Sequence, residues 1–296
     1  MLNLILTIIA TTSIGVIIKL SEKRISQRLT MLLFNYIVAT SISTALWFIY
    51  AAGGQPADNG VSPYSLTTAA IILAPTGGFI FAFNFFLMIA AIRKRGVALP
   101  VSLMRLSAIV PVLASILFLG EEPALLQILG MLGALTAAVL MSLSFRGGEQ
   151  VKSSNKEPLI WLAVSSIVLL VLFGLADLAM KLFEEFGKPE QKPLFLALLF
   201  GFAGLTVLIA MIAGRIKVTK TDALWGILLG IPNYFASFFV VGALEELPSF
   251  IVFPTITAST VMLIALIARF FFRETIGKLG LVGIGLTIAS VIAVNL

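Results

Sequence analysis

The chain contains no cysteine and no histidine, and only 11% of its 296 residues are charged. Without cysteine it has no disulfide, no thiolate metal site and no c-type haem attachment. Without histidine it has no imidazole ligand and no Ser-His or Cys-His nucleophile. The nearest approach to an aspartyl-protease motif is Gly174-Leu175-Ala176-Asp177. That chemistry needs two carboxylates sharing one site, and Asp177 is the only acid well inside an apolar run. No enzymatic chemistry and no cofactor is therefore expected. Acids are the scarcer charge, 14 against 20 Lys and Arg, for a net +6. In a soluble protein this excess would suggest nucleic acid; here the placement of the cations gives another explanation, and no nucleic-acid partner is expected.

What the chain has in quantity is apolar surface: 59% hydrophobic residues, 23 Phe and a mean hydropathy of +1.10. Soluble domains carry roughly 45–50% apolar and about 25% charged residues, so the lipid bilayer is the expected solvent. A helical span needs about 20 mostly apolar residues. The apolar runs between charged punctuation predict ten of them, near 2–20, 29–51, 66–92, 97–119, 124–145, 158–182, 193–214, 222–244, 248–272 and 275–295. The first follows Met1-Leu2-Asn3, with no positive segment before it and no small-residue cleavage site after it, so it is expected to stay as a helix and not to act as a removable signal.

Cytoplasmic loops concentrate Lys and Arg, which makes the loop charges a test of the span count. Odd-numbered loops hold Lys19, Lys23, Arg24, Arg28, Arg93, Lys94, Arg95, Arg146, Lys152, Lys156, Arg215, Lys217, Lys220, Arg269, Arg273 and Lys278. Even-numbered loops hold only Lys181, Lys188 and Lys192, beside Glu184, Glu185 and Glu190. The bias predicts odd loops in the cytoplasm and both termini outside, in the inner membrane if the source is bacterial.

Sliding the chain by 152 residues brings Gly78 onto Gly230, Phe86 onto Phe238, Ser107 onto Ser259, Glu122 onto Glu274 and Gly133 onto Gly285; an offset of 153 matches other positions. Five spans per half is an odd number, so the second half is predicted upside down, and equivalent loops should change sign. Arg93 and Lys94 do fall on Glu245 and Glu246. The fold class expected is an all-α membrane protein of ten transmembrane helices in two inverted five-helix repeats, 1–145 and 158–296, joined by a cytoplasmic linker, 146–157. Inverted repeats recur in secondary transporters, with substrate bound near the midplane.

Phe118-Leu119-Gly120-Glu121-Glu122 through Gly130-Met131-Leu132-Gly133, and Phe272-Arg273-Glu274 through Gly280 to Gly285, resemble the end of each EamA repeat in the drug/metabolite transporter superfamily. The resemblance covers nearly the whole chain. It implies a ten-helix transporter in which the third and fourth helices of each half, helped by the first, surround a central cavity. It implies no particular substrate, since the superfamily handles amino acids, sugars, nucleotide-linked metabolites and organic cations. The family is commonly described with both termini cytoplasmic, and the loop charges here argue the opposite.

Arg105 lies about nine residues into the fourth span, near midplane depth at 1.5 Å per residue. A charge there costs about 2.5–3.5 kcal/mol on insertion scales and faces protein or a water-filled cavity. Its guanidinium fork suits a carboxylate or phosphate; the structural alternative is an Arg satisfied by carbonyls or by an acid on another helix. Ser102 shares its face one turn away, and the repeat places Thr257 in the equivalent position. Asp177 and Lys181 are spaced i, i+4, which favours a same-helix ion pair; the other reading makes Asp177 a carrier of a coupling proton. Asn84, Asn233 and Tyr234 on the third helix of each half read as substrate contacts or as helix-packing polar groups. Pro75, Pro100, Pro111, Pro232 and Pro254 allow kinks. Gly130, Gly133, Gly280, Gly283 and Gly285 read as close helix contacts, a homodimer face among them, and Glu121, Glu122 and Glu274 as helix-start charges.

The expected function is a secondary transporter, and more specifically an exporter, of small carboxylate-bearing metabolites, amino-acid-like solutes among them. Arg105 is its anchor. The alternatives are an exporter of hydrophobic organic cations, which would want a cavity acid, and a non-transporting membrane or lipid-handling subunit.

Overall fold

A computed structural model of the chain describes residues 1–22, 24–52, 67–95, 103–144, 159–271, 273 and 277–296. Its helices are α1 (Leu2–Ser21), α2 (Arg28–Ala52), α3 (Thr68–Arg95), α4 (Ile109–Phe118), α5 (Leu125–Ser144), α6 (Leu159–Phe186), α7 (Lys192–Ala213), α8 (Lys220–Glu246), α9 (Ser249–Phe271) and α10 (Lys278–Asn295). Among the described residues there is no strand. Among the described residues nine helices are long and apolar enough to cross a membrane, and Leu103–Phe118 forms a shorter apolar stretch. The chain is an all-α integral membrane protein. Ser102, Pro100, Glu274 and the linker 146–157 lie outside the described residues.

The chain divides into two compact units, and each draws helices from both halves of the sequence. The first comprises Met1–Phe83 with Ala179–Glu245, the second Asn84–Leu178 with Glu246–Leu296.

In the first unit α2 and α7 run antiparallel, with Tyr36 stacked on Phe200 at 6.2 Å between centroids and the Ser43 hydroxyl donating to the Pro193 carbonyl at 2.7 Å. Small residues set the helix spacing around them. A Cβ at Gly230 on α8 would lie 2.7 Å from the Asn35 carbonyl oxygen of α2, with Val38 beside it. A Cβ at Gly78 on α3 would meet the Leu199 carbonyl and Phe202 of α7. Such close backbone approach is how helices associate where lipid supplies no hydrophobic drive.

The ends of this unit are tied by charge. The Asp222 carboxylate accepts from the backbone amides of Ser26 (3.0 Å) and Gln27 (2.9 Å), from the Ser26 hydroxyl (2.9 Å) and from Thr219. An acid on α8 thus caps the start of α2, where free amides and the helix dipole favour negative charge. Toward the other end Lys192 pairs with Glu245 at 2.8 Å and stands 5.0 Å from the Phe238 ring, and Asn3 donates to the Gly242 carbonyl. Helix α7 closes in a Schellman turn, with Ile216 N–H on Met211 C=O, Arg215 N–H on Ile212 C=O, and Arg215 in the left-handed region at φ 50°. The sequence offers Gly214 for this turn, yet the left-handed residue is its neighbour.

In the second unit α5 and α10 pack antiparallel along their length. A Cβ at Gly130 would lie 2.7 Å from Val294, and one at Gly283 3.2 Å from the Ala137 carbonyl, with Met141 also in contact. The close-packing reading of these glycines holds for Gly130, Gly133 and Gly283, whereas Gly285 has open space where its Cβ would be. Gly120, at φ 75°, turns the chain out of α4. The next residue, Glu121, accepts from the Ser249 amide (2.9 Å), the Ser249 hydroxyl (2.6 Å) and the Phe250 amide (3.4 Å). Glu121 is thus a helix-start charge, and the helix it caps is α9 and not its own α5.

Candidate functional site

The polar interior of the second unit is built where α3, α6 and the segment leading into α4 meet. That segment is not a continuous helix: 103–106 is helical, Ser107 and Ala108 form a turn, and α4 begins at Ile109. Pro111 accounts for the break. It has no N–H to give the Ser107 carbonyl four residues earlier, and Val110 N–H takes that carbonyl instead at 2.9 Å. The Ser107 hydroxyl turns back to the Met104 carbonyl at 2.7 Å. Arg105 sits on the short helical piece before the turn.

Helix α6 approaches this turn through a glycine. A Cβ at Gly174 would collide with Val110, and would lie 2.7 Å from the Ser107 carbonyl. One turn further along α6 is Asp177. The Asn84 side-chain amide of α3 donates to the Leu172 carbonyl of α6 at 2.8 Å. Leu103 and Leu169 form the apolar floor, with Leu87, Leu170 and Phe173 against it. Arg105 and Asp177, 72 residues apart in sequence, are brought within electrostatic reach of one another.

This changes the expectation for Asp177. Its i, i+4 neighbour Lys181 pairs with Glu184 (2.7 Å) and Glu185 (3.3 Å) further along α6. The physical reason is the acidic cluster at the end of α6, which offers Lys181 two carboxylates at i+3 and i+4.

Two buried polar atoms here have no hydrogen-bond partner: Arg105 Nε, a donor, and Asn84 Oδ1, an acceptor. Neither Arg105 nor Asp177 is sealed; both residues keep partial exposure. A charge with residual exposure in mid-span faces protein or water and not lipid.

The other sequence candidates fall elsewhere. Thr257 lies half-buried on α9 in the same unit. Asn233 and Tyr234 lie on α8 in the first unit: Asn233 is half-buried, while Tyr234 is fully enclosed, its ring against Phe235 and Phe238 at 5.3 and 5.8 Å and its buried hydroxyl without a hydrogen-bond partner. The first unit also carries an open groove of about 330 Å³ between α2 and α7, lined by Thr40, Thr44, Trp47, Leu194, Ala197, Leu198, Gly201, Phe202 and Leu205. It holds no charged side chain, and Phe202 and Leu205 at its edge are exposed, as befits a crease facing lipid tails. Sequence reading missed the Arg105–Asp177 approach and the capping of α9 by Glu121. The signal for the first was Gly174, a small residue one turn from the only acid within a span.

No protein-family model matches the chain. It is 23% identical over 294 residues to an uncharacterized protein of Haemophilus influenzae, covering 98% of this chain and 96% of the relative. It also shares its fold with a protein of known crystal structure, at TM-score 0.74 and 12% identity, over 99% of this chain and 95% of the other.

Proposed function

We propose that the protein is a secondary transporter of small polar metabolites, of the drug/metabolite, EamA-repeat type, working by alternating access between two inverted five-helix repeats. The observation that carries this reading is a small cluster of opposite charge among apolar helices, Arg105 and Asp177 within electrostatic reach of one another, beside a break in the helix just after Arg105. A bilayer protein with a merely structural role has no need of such a cluster, and discontinuous helices beside midplane polar groups are where transporters bind their cargo.

Repeat-related contacts support the inverted arrangement. Gly78 against Leu199 and Phe202 has its counterpart in Gly230 against Asn35 and Val38: the glycines are 152 residues apart, and each contact partner on α7 follows its counterpart on α2 by 164. Gly130 against Val294 likewise pairs with Gly283 against Met141, each member displaced by 153. The equivalent helices α2 and α7, and α5 and α10, run antiparallel, as an inverted pair must. Loop contacts keep odd with odd and even with even: Ser26 with Asp222, Gly277 with Ser144, Lys192 with Glu245, Thr67 with Gln191, and Glu121 with Ser249. With the Lys and Arg excess on odd loops, this reading puts both termini outside, in the inner membrane if the source is bacterial.

The nearness of Arg105 weighs against the organic-cation reading, because Asp177, the acid such cargo needs, already has a cation within electrostatic reach. The test is thermal stabilisation of the purified protein by a panel of amino acids, organic acids, phosphorylated metabolites and organic cations, followed by flux of each stabilising compound from loaded proteoliposomes. A ligand that binds only the folded state stabilises it by about 2.7 kcal/mol at one hundred times its dissociation constant. Stabilisation lost in Arg105→Gln, together with flux, is the expected result. A panel with no stabilising compound and no flux points to a non-transporting subunit.

A further inference from the structure

The two ends of the first unit hold their cations differently. Where α7 begins and α8 ends, Lys192 is paired with Glu245, and near the end of α6 Lys181 is paired with Glu184 and Glu185. Where α7 ends and α8 begins, Arg215, Lys217 and Lys220 are exposed, as are Arg24 and Arg28 at the turn from α1 into α2. Among the described residues none of these five makes an ion pair.

Asp222 brings the two sets together. Its carboxylate accepts from Ser26 and Gln27, which lie between Arg24 and Arg28 in the chain, while its own helix starts at Lys220. The Arg24 guanidinium stands 5.9 Å from the Trp225 ring, so the contact reaches a turn into α8. Asp222 is the only acid within 24–28 and 214–225, and its donors from Ser26, Gln27 and Thr219 already occupy it; Glu22, exposed just before this stretch, is the next.

The orientation of a chain in a bilayer asks for cations on one side, but not that they be gathered and left unpaired. Three of the five also stand against local preference. Arg28 and Lys220 begin α2 and α8, where the helix dipole disfavours a cation and favours an anion. Arg215 holds left-handed backbone at φ 50°, a conformation that suits glycine, although Gly214 is its neighbour. An anion supplied from outside the chain would offset all three.

The place narrows what that anion is. Each cation lies within a few residues of the end of a membrane-spanning helix, at the depth of lipid headgroups. Ile212, Val218 and Leu224 beside them are more than half exposed. Phosphate above an apolar tail matches this pairing of unpaired cations with bare apolar side chains, and a soluble anion matches only half of it. We propose that this end of the first unit binds anionic phospholipid, its phosphates held by the five cations and its acyl chains against Val218 and Leu224.

The chain has three tryptophans, so Trp47→Phe with Trp161→Phe leaves Trp225, beside Arg24, as the sole reporter. The full chain is reconstituted in phosphatidylcholine vesicles containing a minor fraction of phosphatidylglycerol or phosphatidylcholine brominated on the same acyl chains, and quenching of Trp225 gives the relative affinity. Phosphatidylglycerol is expected to be preferred about fivefold or more at low salt, the effect of one cation near a membrane surface, and less in high salt. Arg215→Gly with Lys217→Gln should lower the preference by about twofold or more while the thermal midpoint in neutral detergent stays level or rises, because glycine suits the left-handed turn. Arg24→Gln, which leaves that turn alone, should lower it as well. Arg269→Gln with Lys278→Gln removes the same charge from the second unit and should leave Trp225 quenching unchanged. Equal quenching by the two lipids overturns the proposal, as does a preference that survives both neutralisations in the first unit or falls equally on neutralising the second.

Discussion

The two units treat charge in opposite ways. In the first, charged side chains sit at the helix ends, and the buried ones are saturated: Asp222 holds four donors from Ser26, Gln27 and Thr219, and Lys192 has both Glu245 and the Phe238 face. In the second, Asp177 lies inside α6 and Arg105 on the short helical piece before the Ser107 turn, and Arg105 Nε has no hydrogen-bond partner. Saturated charges at helix ends fasten helices. Unsaturated charges in mid-span cost stability and are kept for what they bind. The contrast separates a unit whose charges fasten helices from one that carries charges within its apolar helices, although both are made of the same kind of apolar helix.

Substitutions sharpen this contrast, beginning where the effect should be greatest. Asp177→Asn leaves the half-buried Arg105 guanidinium without the acid in its field and should destabilise by about 3 kcal/mol, the low end for a broken buried pair, seen as a lower midpoint in thermal denaturation. Adding Arg105→Gln should restore most of that loss, because a neutral pair carries no uncompensated charge. A double variant no more stable than the single would mean that the two residues do not face one another. Gly226→Val places a branched side chain against the Met31 carbonyl and Phe34, and overpacking of this kind should cost about 1–3 kcal/mol. Asp222→Ala uncaps α2 for about 1–2 kcal/mol, with no change in ligand selectivity. Glu245→Gln, in a partly exposed pair, should cost less than about 1 kcal/mol and lose even that at high salt. If Asp222→Ala altered selectivity while Asp177→Asn did not, the division of labour would be reversed.

Much of the fold was legible because bilayer spans write themselves as long apolar runs with charged punctuation. Each described helix falls on one of the ten predicted spans, and the fourth differs most: it is expected as continuous over 97–119 and is interrupted at Ser107–Ala108. Pro111 announced a kink there but not its form, since whether a freed carbonyl is left open or taken by an i+3 amide depends on local backbone geometry. Arg105 was legible as a buried cation because nothing else in its span is charged. Its approach to Asp177 was not, because a single sequence gives the rotation of neither α6 nor the Arg105 segment, and Lys181 offered a nearer partner by spacing. Glu121 was legible as a helix-start charge by its place in the loop, but which helix it caps is a tertiary fact.

The absence of cysteine from the chain makes one measurement especially direct. Arg105→Cys, combined with Asp177→Asn so that the cluster stays uncharged, puts a lone thiol at the proposed site. Its reaction with a membrane-impermeant thiol reagent can then be followed in sealed vesicles of each orientation. An alternating-access site predicts labelling from either face, with access from one face falling as a ligand or inhibitor holds the protein open to the other. Labelling from one face alone, or from neither, would contradict the account.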